Sequence, residues 1–478
     1  MKLIIIRLSI LVGIRIRGIN VFDIESMDRR TMIKSLGIIP ATGLMTTLEA
    51  ENVSRQIKSS CINTDVLVVG GGTAGVIAAI QAGRAGCKTI LLESGSQLGG
   101  TMTTGGVCFP GLFYAWGKQI IGGIGWELVT EAVKMNDDVL PDFTKPFGKS
   151  HPKHQILLNP FLYAILAEEK CIQDGVSIRY YETPVRITPL DSGWNVEVSG
   201  KGTYTCINCK QIIDATGNAS VAALAGCQRL REEEIQPGSL IFELEGYDLS
   251  SLDFGVLSKR YDEALKNGVL LKTDAYNGIR GLLTVKGGLA TQHVLNADSS
   301  TSELHTQANI EGRTSLLRAL RFVRTLPGCG NVRIKKMQTE IAIRETYRID
   351  GLYQISHQDY VAGRIFEDSL SYSYYPIDLH VTHGVSPSHL EEGIVATVPL
   401  RALIPKNIRH FLVAGRCVSS DRLANSALRV QASCMGMGQA AGAAAALACH
   451  SNKTPADLSL TELKALIRKH GGIVPSST

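Results

Sequence analysis

The sequence is poor in features that mark several protein classes. Aromatic residues make up 6% and charged residues 19% of its 478 positions. The net charge of +5 is also misleading, because residues 1–58 hold nine Lys/Arg against five Asp/Glu and the rest of the chain is almost neutral. Without a basic stripe carrying interleaved aromatics, nucleic acid is not an expected partner. Long apolar runs are also lacking: "MKLIIIRLSILVGIRIRG" is interrupted by Arg7 and Arg15, so no stable membrane span is expected. The eleven cysteines are odd in number and widely spaced, which argues against a disulfide scaffold and for small buried hydrophobes. The close pair in "CINC", Cys206 and Cys209, lies in a strand-like run with no helix N-terminus to lower a thiol pKa and no second pair of ligands nearby. Neither a dithiol centre nor a metal site is expected there. What the chain does have is 44% hydrophobic residues over a length that supports a large core and about two domains.

The first 58 residues read as a leader. "MDRRTMIKSLGIIPATGLMTTLEA" places Arg29 and Arg30 before Lys34 and a weakly apolar stretch from Ser35 to Met45, an order that resembles a twin-arginine export signal. Met27 is then an alternative start and Ala50 the last residue removed, although Leu48 stands where a small residue is expected. The expectation is export to the periplasm by a signal peptide. The plain alternative is a basic leader on a cytoplasmic protein.

"TDVLVVGGGTAGVIAAIQAGRAGCKTILLES" reads as strand, tight turn, helix and strand. In the G-x-G-x-x-G pattern, Gly70 makes the turn, Gly72 lets the backbone approach a pyrophosphate and Gly75 lets the helix pack close to the strand. Thr73 and Ala74 open the helix whose positive end would face the phosphates. Glu93, 18 residues past Gly75, ends the second strand beside Ser94, where its carboxylate can accept ribose hydroxyls and would repel a 2′-phosphate. The spacing of these features predicts a dinucleotide site.

Three further stretches resemble one family in its chain order. "LLESGSQLGGTMTTGG" adds a second glycine-rich segment, with Gly99, Gly100, Thr101 and Met102, directly after the acid. "QIIDATGNAS" supplies Ala215, Thr216 and Gly217 at the end of a returning strand. "HFLVAGRCVSSDRLANSALRVQASCMGMGQAAGAAAALA" supplies Gly415 and Arg416 at a turn, Asn425 and Ser426, and a Gly/Ala-rich helix from Val430 to Ala448 with Gly436, Gly438 and Gln439. Together they cover roughly residues 60 to 450 and resemble the FAD-dependent oxidoreductases, relatives of fumarate reductase and succinate dehydrogenase flavoprotein subunits. The resemblance implies FAD as cofactor, held by the residues just named and by Val185 near the adenine. It also implies that one end of the late helix approaches the flavin, where the helix dipole favours the anionic edge of the reduced ring. A small-residue helix packed in the core is the alternative.

The implied fold is α/β: a Rossmann-like FAD-binding domain of parallel sheet plus β-meander, with an inserted α+β substrate or cap domain. Its expected boundaries are 61–235 and 385–450 for the discontinuous flavin domain and 236–384 for the insertion. A C-terminal helix and tail follow over 451–478. In such an oxidoreductase the protein positions the substrate and moves protons around the flavin. His380, closing "SYYPIDLH", is the first candidate for that work. Arg344 and Arg348 in "RETYR" would share a face if the segment is helical and could clamp an anionic substrate, with a salt-bridged face through Glu345 as the alternative. Arg429 opens the late helix near flavin or substrate. The His-Gly-Ala-Asn pattern of fumarate reductases is missing before "RLANSAL", which counts against fumarate itself. The expected substrate is a small organic molecule: a polyol, sugar or carboxylate. A fumarate-reductase-like enoate reductase and a flavin-binding protein without turnover remain as alternatives. With no haem or iron–sulfur motif in the chain, any electron carrier is a separate protein.

Overall fold

The computed structural model describes residues 58–476 except Pro146 and His383, so the twin-arginine-like segment lies outside the described residues. Strand β1 (Lys58–Val69), helix α1 (Thr73–Arg84) and strand β2 (Thr89–Glu93) form the first βαβ unit. Val66, Leu67 and Val68 are fully buried, as a parallel strand covered on both faces requires. Helix α2 (Pro160–Gln173) starts sharply because the Asn159 side chain accepts from the Phe161 and Leu162 N–H groups and Pro160 takes the first helical position. It leads into β3 (Val176–Tyr180). Strands β4 (Thr183–Leu190), β5 (Gly193–Gly200) and β6 (Thr203–Asp214) then run as an antiparallel meander.

The resulting sheet has the order β3-β2-β1-β6-β5-β4, and its β3-β2, β2-β1 and β1-β6 ladders are parallel. Burying Val, Leu and Ile from both faces of its centre contributes about 1.5–3 kcal/mol per side chain. A second apolar core forms around β7 (Phe242–Glu245), α3 (Ser302–Val323) and β8 (Arg333–Met337), with Phe242, Leu316, Leu320 and Val323 among its buried members. The residues expected to form one insertion divide here. Up to Ile343 their apolar side chains pack in this second core, whereas Ile355, Tyr360, Leu370, Tyr375 and Ile377 pack in the core between sheet and helices.

Strand β9 (Phe411–Val413) adds to the end of β6 in parallel, pairing with Ile212–Asp214. After it come α4 (Arg422–Leu428), α5 (Gln431–Ser451) and α6 (Leu460–Lys469). The glycines of α5 have a packing reason. A Cβ at Gly438 would lie 2.3 Å from the Ala74 carbonyl oxygen, and one at Gly442 would lie 2.4 Å from that of Ala78. Small residues four apart thus let α5 lie directly on the α1 backbone. Helix α6 is capped by Ser459, buries Leu463 and Ile467, and brings His470 to Gln81 of α1. Among the described residues no helix is long and apolar enough to cross a membrane.

Candidate active site

A cleft of about 1570 Å³ opens at the carboxyl ends of β1, β2, β6 and β9, the edge at which open α/β sheets bind ligands. Its first wall is the glycine turn. Gly70 has φ +101°, and a Cβ there would lie 2.6 Å from the Ala215 oxygen. A Cβ on Gly75 would lie 1.8 Å from the Gly70 oxygen, so the third glycine sets the helix-to-strand distance and does not itself line the cleft. A Cβ on Gly72 would meet nothing within 4 Å, which leaves the cleft floor at the α1 N-terminus open for a phosphate group. Thr73 and Ala74 line the cleft beside it, and the first turn of α1 has no capping side chain and no acidic residue.

Glu93 and Ser94 line the next stretch. The Glu93 carboxylate accepts Gly71 N–H at 2.7 Å and Gly95 N–H at 2.6 Å, so it ties the turn to the β2 end while facing the cleft. Gly100 and Thr101 line the cleft, whereas Gly99 backs the turn by donating its N–H to Gly71, and Met102 is fully buried. At the far side lie Ala215, Thr216 and Gly217, positioned by a residue the motif reading passed over. Buried Asp214 accepts from Thr216 N–H and Oγ1 and from Ala222 N–H, and so fixes the turn at Gly217. Arg416, beside Gly415, donates to the Gly217 and Ile343 oxygens and to Asn218 Oδ1. Burial lowers its guanidinium from the ordinary value, and it forms no ion pair among the described residues.

Other expected contacts sit elsewhere. Val185 is exposed and outside the cleft, whose rim is formed instead by Glu182, Thr183 and Pro184. Asn425 and Ser426 belong to α4 and turn inward: Asn425 Nδ2 donates to the Arg416 oxygen, and Ser426 Oγ bonds Leu423 O and Asp378 N–H. Gly436 packs on Ser371, Gly438 on Ala74, and Gln439 bridges Ile124 N–H, Gln81 and the His470 oxygen. The part of α5 that does reach the cleft is its start, through Gln431 and Cys434 with Val430 before them. Cys108 is a packed thiol bonded to the Gly287 oxygen, with its pKa raised by burial.

The second half of the cleft gathers charge. His380, Arg344 and Arg429 line it together with Asp378 and Tyr375. Arg429 sits between α4 and α5 and donates Nη2 to the Asp378 carboxylate at 3.3 Å and to its backbone oxygen at 3.0 Å. Burial raises the Asp378 carboxyl, but the His380 hydrogen bond and the Arg429 charge outweigh it and hold the group at about 2. His380 lies between Asp378, 3.3 Å from Nε2, and His293, whose Nε2 is 3.0 Å from His380 Nδ1. A carboxylate can only accept, so His380 carries its hydrogen on Nε2 and presents the Nδ1 lone pair to the His293 N–H. Burial and the Arg344 charge lower His380 to about 4, and the same two effects lower His293, stacked on Tyr276 at 3.9 Å, to about 3. Both rings are therefore neutral near pH 7.

Arg344 donates to the Pro237 oxygen at 2.6 Å and to Ser239 Oγ at 3.0 Å, but has no carboxylate partner among the described residues. Burial and the nearby Arg429 lower it to about 10. Arg348 does not join it. Residues 344–347 form no helix, and Arg348–Ile349 is a short strand paired with Arg229–Leu230, so extended chain carries the two arginines about 13 Å apart. The Arg348 side chain is 3% exposed and binds Glu232 and the Ser420 oxygen, outside the cleft. Glu345 is buried between Gln236 and Arg422. Gln236 and His293 had no motif to mark them, yet Gln236 Oε1 accepts from both His380 N–H and Arg429.

A family model described as FAD dependent oxidoreductase matches residues 65–467. The chain belongs to the FAD-dependent oxidoreductase family. FAD is its cofactor, and the open glycine floor, uncapped α1 N-terminus and Glu93 carboxylate suit a dinucleotide. Among solved structures it is similar to a geranylgeranyl bacteriochlorophyll reductase-like protein from Thermoplasma acidophilum, with 13% identity over 86% of this chain and 84% of that one and a TM-score of 0.42. It is also similar to p-nitrophenol 4-monooxygenase from Pseudomonas putida DLL-E4, with 14% identity, coverage of 86% and 81%, and a TM-score of 0.36. A third is the myxobacterial chondrochloren halogenase, with 12% identity, coverage of 85% and 79%, and a TM-score of 0.40. No curated protein sequence matches significantly.

Proposed function

We propose that this FAD-dependent oxidoreductase oxidises a small carboxylate-bearing molecule, with His380 accepting the proton that leaves the substrate. The observation that supports the carboxylate is the charge count in the second half of the cleft, where Arg344 and Arg429 face the single carboxylate of Asp378. One positive charge is left over in a place where burial already penalises it. An anionic substrate group beside Arg344 completes the balance, and a polyol or neutral sugar does not. FAD supplies the two-electron acceptor.

The imidazole supports oxidation. A neutral His380 has its lone pair on Nδ1, and a substrate O–H or N–H that displaces the His293 N–H from that atom can be deprotonated there. Asp378, on Nε2, then stabilises the imidazolium. Binding of the anion assists, because it offsets the Arg344 charge that depresses His380 and so moves the imidazole toward the working pH. Arg429, held by Asp378 and Gln236, fixes that carboxylate.

The test is anaerobic flavin bleaching by a panel of 2-hydroxy acids and amino acids, each beside its amide or methyl ester, with polyols and sugars alongside. Bleaching by acids, at least tenfold slower with the neutral derivatives and restricted further by Arg344→Met, is expected. Equal bleaching by acid and ester, or by polyols alone, overturns the carboxylate reading.

A further inference from the structure

In the strand-like "CINC" run, the thiol nearest to Cys206 is not the one its spacing suggests. Cys206 and Cys209 lie three apart in β6, and an odd separation in a strand points the side chains to opposite faces. Cys209 is buried in the core on one face. Cys206, on the other, stands in direct register with Cys61 of the neighbouring parallel strand β1, and the two sulfurs are 2.9 Å apart. We propose that Cys61 and Cys206 form a disulfide across β1 and β6, made by exchange with an external disulfide.

Three observations carry this. The sulfurs are closer than non-bonded sulfur atoms normally approach, and directly paired residues on adjacent strands have Cα separations inside the range a disulfide spans. Access is open at one partner, since Cys61 is exposed and Cys206 half-buried. Side-chain amides surround the pair: Asn195 Nδ2 donates to Cys206 Sγ at 2.8 Å, and Asn208 Nδ2 reaches Cys61 Sγ at 3.9 Å. Both sulfurs therefore sit in polar surroundings, not in the packed core that holds Cys209.

The chemistry balances with a low-molecular-weight disulfide as oxidant. The exposed Cys61 thiolate attacks one sulfur of that disulfide and expels a thiolate. Cys206 then attacks Cys61 Sγ and expels the second. Two electrons pass from the cysteine pair to the external disulfide, and the two cysteine protons end on the two released thiols. Donating its hydrogen bond to Cys206 raises the Cys61 thiol above its ordinary value, so exchange accelerates as pH rises. The cross-link joins residues 145 apart in sequence, at the end of the sheet away from the flavin cleft. By chain entropy and the scaling of unfolding entropy with size it should raise Tm on the order of 4 °C.

The experiment uses the purified full-length holoprotein, incubated with oxidised glutathione at about pH 9, alkylated in denaturant and mapped by mass spectrometry. Expected are a Cys61–Cys206 cross-linked peptide, two fewer alkylated thiols, unchanged flavin content, and a Tm that falls by about the stated amount when dithiothreitol is added. Cys61→Ser and Cys206→Ser should each lack the cross-link and the dithiothreitol response while keeping bound flavin. Retention of both free thiols, a persistent glutathione adduct on Cys61, or a cross-link between other cysteines such as the neighbouring Cys87 and Cys449 would overturn the proposal.

Discussion

Arg344→Met should make the protein more stable and less able to bind an anion. Holding the guanidinium at about 10, well below its ordinary value, corresponds to a penalty of about 3 kcal/mol for the charged form at neutral pH. Arg344 lines an open cleft, so water there screens part of this and about 1–2 kcal/mol is the expected net. The sign follows from linkage. The folded chain binds the Arg344 proton less tightly than the unfolded one, so the penalty is fully present below about 10 and fades as pH rises from there toward the ordinary guanidinium value. Methionine fills much of the same volume without the charge, and such replacements of unpaired buried charge often stabilise. The two oxygens that lose their donor, Pro237 O and Ser239 Oγ, subtract from the gain, although Ser239 Oγ keeps its bond to the Gln292 oxygen. Differential scanning calorimetry at pH 7 without substrate should show Tm rising by about 1–2 °C. Titration with a carboxylate that bleaches the wild-type flavin should show affinity about 10- to 100-fold weaker, as for loss of a charged hydrogen bond. A fall in Tm of several degrees with anion affinity intact would refute the idea that Arg344 is an uncompensated charge awaiting a ligand.

Four other outcomes follow from the structure. His380→Gln should lower kcat by about 10²–10⁴-fold with little change in bound flavin, the usual effect of removing a proton-transfer group, measured by stopped-flow bleaching. The free-enzyme profile, kcat/KM against pH, should rise through about 4 as His380 loses its proton and fall near about 10 as Arg344 loses its charge. A limb near 6.5 would show that His380 is not depressed. Stability should also drop as pH falls from 6.5 toward about 4, because the unfolded chain takes up protons that buried His380 and His293 refuse, and His380→Phe should flatten that window. Gly438→Ala should cost about 1–3 kcal/mol, since its methyl must push the Ala74 carbonyl back by nearly 1 Å. Because that carbonyl belongs to the first turn of α1, FAD release measured by flavin fluorescence should speed up in the same variant.

The first βαβ unit was legible because each of its features has one physical cause. Gly70 needs positive φ, Gly75 must clear the Gly70 carbonyl, and Glu93 must end a strand beside that turn, so spacing alone locates them. The late helix was legible as a helix but not as to its neighbour. A run of Gly and Ala permits close approach to anything, and only the register of Gly438 and Gly442 on Ala74 and Ala78 shows that α1 takes that face and leaves the start of α5 for the cleft. Arg344 and Arg348 were linked by a spacing that means proximity only in a helix. The bridge from Ala342 to Ser239 and the ladder from Arg348 to Leu230 pull the segment straight, and straightness separates them.

What the sequence concealed is therefore the set of contacts made across long separations. His293 meets His380 from 87 residues away, and Gln236 reaches Arg429 over 193. Neither stands in a local pattern, because the second core and the residues after Ile343 approach the cleft on independent pieces of chain. The same holds for Cys61 and Cys206. Two cysteines three apart in a strand offer no local pair, and only the parallel β1–β6 ladder shows that a residue 145 positions upstream stands beside Cys206. In this fold, chemistry that depends on one strand–turn–helix can be read from one stretch of sequence, and chemistry that depends on two strands or two cores meeting cannot. Asp378 lies at that divide. It is two residues from His380 in "PIDLH", close enough to be noticed, but the His380 hydrogen bond that keeps it ionised is joined by the charge of Arg429, 51 residues further on.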